Sequence, residues 1–314
     1  MEADPHAYDE ADLGSRLSEG WAIEPQSLVH VRGGANNVFQ AKRGGGDVFV
    51  KVTAASMRTE NEVSGSSAFL RHLGDRGAPV SKLVIKENGN RYDIFDSAER
   101  TYYITVTEAA PGTIKDKSCK EPDRFAAWGA AIARLHNAAE DFDRSSYPYL
   151  AGDGEWLRII DRCGDAEAAI RDRIDEIGIW RNALVRPAEG LPLTHGDMNI
   201  GNVVFNNGAA TLIDFDEPMI TWNAADIARP FCETWAQSDK ERAINFEALL
   251  SAYSEHRQPE FTDPGDYENF VVLKCLEGYG WLRKEWIGED FIGENVEASL
   301  NRLQGLILAP LKLG

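Results

Sequence analysis

The sequence predicts an α+β fold in two lobes, a small β-rich lobe at residues 1–110 with one main helix and a larger, mostly helical lobe at 111–314. Two observations lead to this prediction. Short runs of β-forming residues, separated by glycines, dominate the first part of the chain. Alanine-rich segments with helical periodicity dominate the part after Pro111-Gly112. The length of 314 residues suits one large domain or two lobes.

The first lobe is predicted to open with a short amphipathic helix within residues 1–25, followed by a turn at Pro25. The runs LVHV, VFQAK and DVFVKV then predict an antiparallel meander, because glycine clusters at 33–34 and 44–46 separate them. We expect the one main helix within residues 58–75. Two more strand-forming segments follow it, VSKLVIKENGNRYDIF and RTYYITVTEAAPG, and NGN in the first of them predicts a turn.

The second lobe is predicted to begin with helices within residues 124–142 and 154–184. A small β island follows, in which VVF and TLIDF flank Asn207-Gly208, and this dipeptide is typical of a tight hairpin turn. From Ala224 onward the pattern is helical to the end of the chain.

Composition narrows the classes of function. The net charge is −18, so we expect no nucleic-acid partner, because phosphate contacts need clustered lysine and arginine, and no docking on anionic membranes. Most of that charge lies in the helical part, which contains 21 basic and 35 acidic residues. The acidic N-terminus is unlike a signal peptide, and no apolar run approaches 18 residues. Four cysteines without zinc spacing favour reduced thiols in a cytoplasmic protein.

Three polar residues around the predicted hairpin suggest a catalytic and metal-binding site. Asp197 and Asn202 stand five residues apart in THGDMNIGNVVF, and Asp214 follows in LIDFDEP. The hairpin would bring these residues to the end opposite its turn. Phosphoryl transfer uses one aspartate to orient the attacking hydroxyl, and an asparagine and a second aspartate to hold Mg²⁺. The alternative is a polar loop with an Asx-type turn. Such a loop would account for one of these residues, but it accounts less well for all three together.

A lysine within a β run supports the same chemistry. Lys51 stands in the apolar segment VFVKVT, where a buried ammonium group needs an anion as partner. Gly33 and Gly34 lie in the preceding loop, whose backbone could cover phosphates. This glycine pair is a weak motif, and an exposed lysine on a strand edge is the alternative.

These motifs together resemble the aminoglycoside phosphotransferase and choline kinase superfamily, small-molecule kinases with a bilobal protein-kinase-like fold. The pair HGDxxxxN and IDFD carries the resemblance most specifically; GGANNVF, VFVKVT, EAAPG and IARLH support it. The resemblance implies transfer of the γ-phosphate of ATP (or GTP), with Mg²⁺, to a hydroxyl of a small, sometimes cationic, metabolite or amino sugar. It leaves the oligomeric state open.

The resemblance also implies roles for single residues. Asp197 is the catalytic residue, Asn202 and Asp214 are the metal ligands, and Lys51 contacts the nucleotide phosphates. The flap over the phosphates runs from Gly33 through Gly34 to Asn37. The hinge that pairs with adenine runs from Glu108 to Ala110. His195 is expected to brace the catalytic loop, and Asp226 is expected to be either a second brace or a plain helix N-cap. Asp216 is either an additional metal ligand or a solvated loop carboxylate.

One position departs from the family pattern. The helix after the lysine strand usually carries a glutamate that holds the lysine, and Ser66 occupies that position here. Glu62 lies one helical turn earlier on the same face. Either Glu62 substitutes for the missing glutamate, or the ion pair with Lys51 is absent.

Two further questions stay open at the level of sequence. Tyr267, Tyr279, Trp281 and Trp286 could form an aromatic box for a cationic substrate, although their spacing is more typical of a helix core. A nucleotide-binding pseudokinase that acts through partner contact is the alternative function, supported by Ser66 and the weak glycine motif. A protein kinase fits less well, because Gly196 stands where protein kinases carry arginine.

Overall fold

The structure is a computed structural model that describes residues 8–33, 36–97, 99–114, 120–145, 147, 154–286, 290–291 and 294–314. The chain divides into two compact units. Unit 1 comprises Met1–Pro111, Asp141–Tyr149 and Thr211–Asp216, and unit 2 comprises Gly112–Glu140, Leu150–Ala210 and Glu217–Gly314. The predicted α+β architecture is confirmed, with a β-rich N-terminal sheet and a helical C-terminal part.

Unit 1 is built on a five-stranded antiparallel sheet with two helices. The strand order is β1-β2-β3-β5-β4. The strands are β1 (Val29–Arg32), β2 (Asn36–Arg43), β3 (Gly46–Ala54), β4 (Asp93–Ser97) and β5 (Arg100–Glu108), and the helices are α1 (Glu10–Trp21) and α2 (Glu60–Asp75). The meander, the first helix and the main helix therefore form where the sequence predicts them.

Alternation along β3 gives the sheet of unit 1 two different faces. Val48, Val50 and Val52 are buried in one hydrophobic core with Leu13, Leu17 and Trp21 of α1. Because successive side chains of a strand point to opposite faces, Lys51 lies on the face away from this core. The apolar pattern of β3 thus places its lysine where polar partners can reach it.

The prediction of a strand that begins at Val80 is wrong for the first half of the segment. Residues 80–84 form isolated bridges, from Val80 to Leu212 and from Leu83 to Thr107, and regular pairing starts only at β4. The backbone of this segment is divided between two partners, since Ser81 N–H donates to Leu212 and Val84 N–H donates to Val106. A continuous ladder with one neighbour therefore cannot form.

Unit 2 is mostly helical, as predicted. Its helices are α3 (Pro122–Ala139), α4 (Gly154–Cys163), α5 (Ala168–Ala183), α6 (Asn223–Ala228), α7 (Asp239–Ser254), α8 (Pro264–Lys284) and α9 (Val296–Leu308). Helix α8 packs against α4, α5, α6 and α9, and it is apolar around most of its circumference because neighbours surround it. The predicted helical segment 154–184 is two helices, broken between Cys163 and Ala168.

Short strands complete the chain. They are β6 (Thr113–Ile114), β7 (Leu193–Thr194), β8 (Val203–Asn206), β9 (Ala209–Leu212), β10 (Met219–Ile220), β11 (Asp290–Phe291) and β12 (Glu294–Asn295). The strands β8 and β9 flank Asn207 and Gly208, which both have positive φ as a tight hairpin requires, so this prediction is confirmed. The pair β11–β12 corrects the expectation of unbroken helix after Ala224. In the described part of the chain, no helix is both long and apolar enough to span a bilayer.

Candidate active site

In unit 1, Lys51 lies among charged and polar side chains that we call the Lys51 cluster: Lys51, Arg32, Asn36, Asp214 and Asp216. The Lys51 Nζ lies 2.6 Å from Asp214 Oδ1 and 2.8 Å from Asp216 Oδ1. Burial alone would lower the pKa of Lys51, but the two carboxylates raise it above its ordinary value. The lysine that the sequence singles out therefore has the anionic partners that its position requires.

The second oxygens of both carboxylates also have partners. Arg32 Nη2 lies 2.8 Å from Asp214 Oδ2, and Asn36 Nδ2 donates to Asp216 Oδ2 at 2.7 Å. Asp214 has a φ of 66°, in the left-handed region that few residues other than glycine adopt. Asp216, for which the sequence left two roles open, belongs to this cluster and is not a solvated loop carboxylate.

In unit 2, the Asp197 carboxylate is held at both oxygens. Its Oδ1 accepts from Arg229 at 3.1 Å from Nε and 3.0 Å from Nη2. Its Oδ2 accepts from Asn199 Nδ2 at 2.7 Å and from Asn202 Nδ2 at 3.1 Å. The side chain of Asp197 nevertheless stays 39% exposed, so a ligand can reach the oriented carboxylate.

Arg229 ties this carboxylate to the following helical turn. Its guanidinium lies 3.8 Å from Glu233 Oε1, and Glu233 Oε2 accepts the backbone N–H of Ile200 at 3.1 Å. Burial would lower the pKa of Arg229, but the carboxylates of Asp197 and Glu233 raise it above its ordinary value. Arg229 thus remains a cation that holds Asp197 and pairs with Glu233, which in turn bonds Ile200 in the loop at residues 195–202, here called the Asp197 loop.

Asp226 holds the backbone of the Asp197 loop through two hydrogen bonds. The Asp226 carboxylate accepts the N–H of His195 at 2.8 Å and the N–H of Gly196 at 3.0 Å, and it is completely buried. His136 Nε2 lies 3.2 Å from the same carboxylate, and His136 Nδ1 lies 3.0 Å from the Tyr253 hydroxyl. Asp226 is therefore a brace and not a helix N-cap, because it lies within α6, whose N-cap is Trp222.

His195 and Gly196 shape the backbone of the Asp197 loop, the first through a hydrogen bond and the second through its lack of a side chain. The His195 ring accepts the N–H of Asp197 at 3.3 Å, as the predicted bracing role requires. Gly196 has a φ of 85°, and a Cβ there would clash with the carbonyl oxygen of Glu217. The pairing of Thr194 with Met219 holds these two segments close together. A larger residue cannot occupy the position of Gly196 without moving the backbone.

One predicted cofactor-binding residue, Asn37, does not lie on the face of the sheet that carries Lys51. Asn37 pairs with Val52, so its side chain lies on the core face of the sheet, where its Nδ2 donates to Tyr8. Asn36 pairs with Thr53 and faces Lys51 instead, because neighbouring residues of a strand alternate. Asn36 therefore belongs to the Lys51 cluster and Asn37 does not, and the flap role of residues 33–37 stays a prediction. Gly33 is described and precedes β2, whereas Gly34 lies outside the described residues.

The structure does not bring Glu62 to Lys51. Glu62 closes a capping box at the start of α2, where its Oε2 accepts the N–H of Thr59 at 2.7 Å. The ion-pair partners of Lys51 among the described residues are Asp214 and Asp216. The substitution of Glu62 for the glutamate expected at Ser66 is therefore not seen in this structure.

Of the predicted hinge residues, Glu108 ends β5, and Ala109 and Ala110 follow the strand. Part of their backbone is already bonded within unit 1. Glu108 N–H donates to Lys82, the Glu108 carbonyl accepts from the Ser81 hydroxyl, and Ala109 N–H donates to Asp47. Within the described ranges, no other backbone group forms a hydrogen bond with the backbone of Ala110. The pairing of this segment with a nucleotide base stays a prediction.

The aromatic residues near the end of the chain belong mainly to the core. Tyr267 is fully buried and its hydroxyl donates to Phe261, and Tyr279 is also buried. The Trp281 and Trp286 rings lie 5.4 Å apart, each partly exposed. The structure thus favours the helix-core interpretation over an aromatic box for Tyr267 and Tyr279.

Comparison with known proteins identifies the family. The sequence matches the profile of the phosphotransferase enzyme family over residues 27–260, most of the chain. This chain belongs to that family. The predicted superfamily and the prediction of an enzyme are therefore confirmed, and the chemistry is phosphoryl transfer to small molecules.

Individual relatives agree with this assignment. A protein of Deinococcus radiodurans, itself uncharacterised, is 26% identical over 276 residues, covering 84% of this chain and 79% of its own. The solved structure of amicoumacin kinase hAmiN, in complex with AMP-PNP, Ca²⁺ and Ami, has a TM-score of 0.80 at 20% identity and covers 97% and 95% of the two chains. A microcompartment-associated aminopropanol kinase has a TM-score of 0.76 at 18% identity, with 95% of each chain covered. At these identities the structures show the shared kinase-like fold.

The sequence patterns do not mark Asn199, Arg229 or Arg32, which each contact a predicted site residue. Asn199 holds Asp197 with its amide nitrogen, and its Oδ1 accepts the N–H of Gly201. Arg229 and Arg32 each pair with an aspartate that is distant in sequence. Asn199 could have been found from its place two residues after Asp197, since asparagine often bonds the backbone two residues on. No local signal marks the two arginines.

Proposed function

We propose that this phosphotransferase moves the γ-phosphate of ATP, with Mg²⁺, to a hydroxyl group of a small metabolite or amino sugar. The observation that carries the proposal is the Asp197 carboxylate, which four donors orient while it remains accessible. A fixed, reachable carboxylate on a kinase-like fold suits the alignment of an attacking hydroxyl.

Asp197 has the role of hydroxyl-orienting residue in this proposal. Arg229, Asn199 and Asn202 occupy defined positions on its two oxygens, so the carboxylate cannot rotate freely. An acceptor hydroxyl that donates to Asp197 is thereby held in one direction. Positioning of this kind supplies much of the catalysis in phosphoryl transfer, because the protein does little covalent chemistry.

The proposed metal ligands fit a hard divalent cation. The Asn202 Nδ2 donates to the Asp197 backbone carbonyl at 2.9 Å and to its carboxylate, which leaves the Asn202 amide oxygen for a metal. Asp214 contributes carboxylate oxygens, and Mg²⁺ prefers oxygen ligands of this kind together with substrate phosphates. When bound, the cation would neutralise negative charge on the phosphates. Across the described ranges, no group of three or more histidine, cysteine, aspartate or glutamate side chains forms a metal cluster.

Nucleotide binding is assigned to groups of unit 1. Lys51 is a cation that can exchange its carboxylate partners for phosphate oxygens, and the Ala110 backbone can pair with the base. The backbone of Gly33, which precedes β2, is assigned to the flap over the phosphates. GTP could replace ATP in these contacts.

The proposed acceptor class is a small alcohol that carries an amine. Two of the similar solved structures are kinases of amicoumacin and of aminopropanol. The helical part of this chain has 14 more acidic than basic residues, which favours a cationic ligand. A cytoplasmic location and the absence of a nucleic-acid partner remain parts of this proposal.

The test begins with binding and ends with the Asp197→Ala variant. A thermal-shift titration with ATP and Mg²⁺ is followed by a transfer assay over a panel of amino alcohols and amino sugars. Asp197→Ala should lower kcat by about 10²- to 10⁴-fold with ATP affinity nearly unchanged. Full turnover by this variant would refute the assignment. Binding of ATP without transfer to any panel member would favour a pseudokinase.

A further inference from the structure

Arg32 reaches the Lys51 cluster because of a bulge in the first strand. His30 pairs with Phe39, and regular antiparallel pairing would then place Arg32 opposite Asn37, on the core face of the sheet. The register shifts between His30 and Arg32, so that Arg32 instead pairs with Val38. Val38 in turn pairs with Lys51. The bulge therefore moves the Arg32 side chain to the face that carries Lys51.

On that face Arg32 occupies one oxygen of the proposed metal ligand. Arg32 Nη2 lies 2.8 Å from Asp214 Oδ2, and Lys51 Nζ lies 2.6 Å from Asp214 Oδ1. Both oxygens of this carboxylate thus already have cationic partners. A divalent cation that binds Asp214 at Oδ2 must displace the guanidinium.

The two cations differ in how easily they can leave. The Lys51 side chain is 18% exposed and contacts two carboxylates, whereas the Arg32 side chain is 58% exposed and contacts Asp214. Exposed ion pairs contribute little to stability, because water competes for both charges. Arg32 is therefore the partner of Asp214 that a ligand can displace at small cost.

We infer that Arg32 is a nucleotide-phosphate ligand that holds Asp214 Oδ2 until a divalent cation and a nucleotide bind together. The inference rests on the proposed function of Asp214 and Lys51. A cation that arrives alone has to displace Arg32 without offering it another anion. A nucleotide offers phosphate oxygens, which guanidinium groups bind with two parallel hydrogen bonds. Arg32 thereby couples cation binding to nucleotide binding.

Two variants of Arg32 separate the two contacts. Arg32→Ala removes both, so Mn²⁺ alone should bind about 2- to 5-fold more tightly. AMP-PNP in the presence of Mg²⁺ should bind on the order of 10-fold more weakly. Arg32→Lys keeps the charge but loses the planar fork, so it should leave the Mn²⁺ affinity near the wild-type value and still weaken AMP-PNP. Calorimetric titration measures both affinities, with circular dichroism as the check of folding.

Arg71→Ala is the matched control, since Arg71 is an exposed arginine of the same unit whose side chain pairs with Asp75. It should change neither affinity. The inference is overturned if Arg32→Ala leaves either the Mn²⁺ or the AMP-PNP affinity at the wild-type value. Wild-type protein that does not bind AMP-PNP with Mg²⁺ would overturn the proposed function itself, and this inference with it.

Discussion

Asp214 in unit 1 and Asp197 in unit 2 are both aspartates held by an arginine, yet their surroundings differ. The arginine on Asp214 is 58% exposed, and the other partner is a lysine that also pairs with Asp216. The arginine on Asp197 is 20% exposed, and the other partners are amides of its own loop. Asp214 is thus held partly by an exposed arginine, whereas Asp197 is held by a mostly buried arginine and by amides of its own loop.

This difference matches the division of work in the proposed reaction. A nucleotide and its cation enter and leave in every cycle, so their ligands need partners that can be replaced. The acceptor hydroxyl needs one fixed direction, and the loop that carries Asp197 is anchored at His195 and Gly196 to the buried pair of Asp226 and His136. Fixed geometry of this kind reduces the reorganisation needed during the reaction.

The sharpest test of the comparison replaces an aspartate by asparagine in each region: Asp226, which braces the Asp197 loop, and Asp214 of the Lys51 cluster. Asp226→Asn should lower the free energy of unfolding by about 3 kcal/mol, because it leaves buried N–H groups and His136 without their anion. Asp214→Asn should change it by less than about 1 kcal/mol, since asparagine tolerates the left-handed backbone, Lys51 keeps Asp216 as its anion, and the Arg32 side chain is exposed. Urea denaturation measures both, and equal losses would contradict the comparison.

A smaller effect is expected from the arginine of the Asp197 loop. Arg229→Ala removes two donors from Asp197, and the resulting misplacement should lower kcat by about 10- to 100-fold with nucleotide affinity unchanged. Arg229→Lys should recover part of this loss, because it keeps the charge without the fork. Arg173→Ala, which breaks a pair with Glu176 on α5, is the control and should leave kcat unchanged. If kcat is unchanged in Arg229→Ala, the oriented carboxylate is not what limits the reaction.

The smallest expected effect tests whether Glu62 belongs to the Lys51 cluster. Glu62 in α2 and Glu241 in α7 occupy the same capping-box position, opposite Thr59 and Ser238. Alanine at either position should cost about 0.5 kcal/mol of stability, and glutamine should cost less, because glutamine also closes a capping box. Nucleotide affinity should not change in any of the four variants. Weaker AMP-PNP binding in Glu62→Gln but not in Glu241→Gln would contradict this expectation and show that Glu62 contributes to nucleotide binding.

The features that the sequence predicts are local ones. The spacing of Asp197, Asn202 and Asp214 around the Asn207-Gly208 hairpin is visible in a short stretch, and the strand around Lys51 shows in its alternation. The capping box of Glu62 was also visible, since threonine followed three residues later by glutamate is its signature. The family resemblance led to a different interpretation of that glutamate.

The features that the sequence does not predict depend on register and on distant pairs. A one-residue shift in β1 decides that Arg32 faces Lys51, and strand alternation decides that Asn36 does so while Asn37 does not. Arg229 meets Asp197 across 32 residues, and Arg32 meets Asp214 across 182. Neither pairing leaves a periodic signal, because it depends on how whole elements pack.

Phosphorus NMR of the transfer reaction tests the central claim most directly. Wild-type protein, ATP and Mg²⁺ are incubated with each amino alcohol or amino sugar of the panel. The account predicts that one acceptor gives a phosphate monoester signal that grows in step with ADP, and that Asp197→Ala slows this growth by about 10²-fold or more. Monoester formed by Asp197→Ala at the wild-type rate would contradict the account.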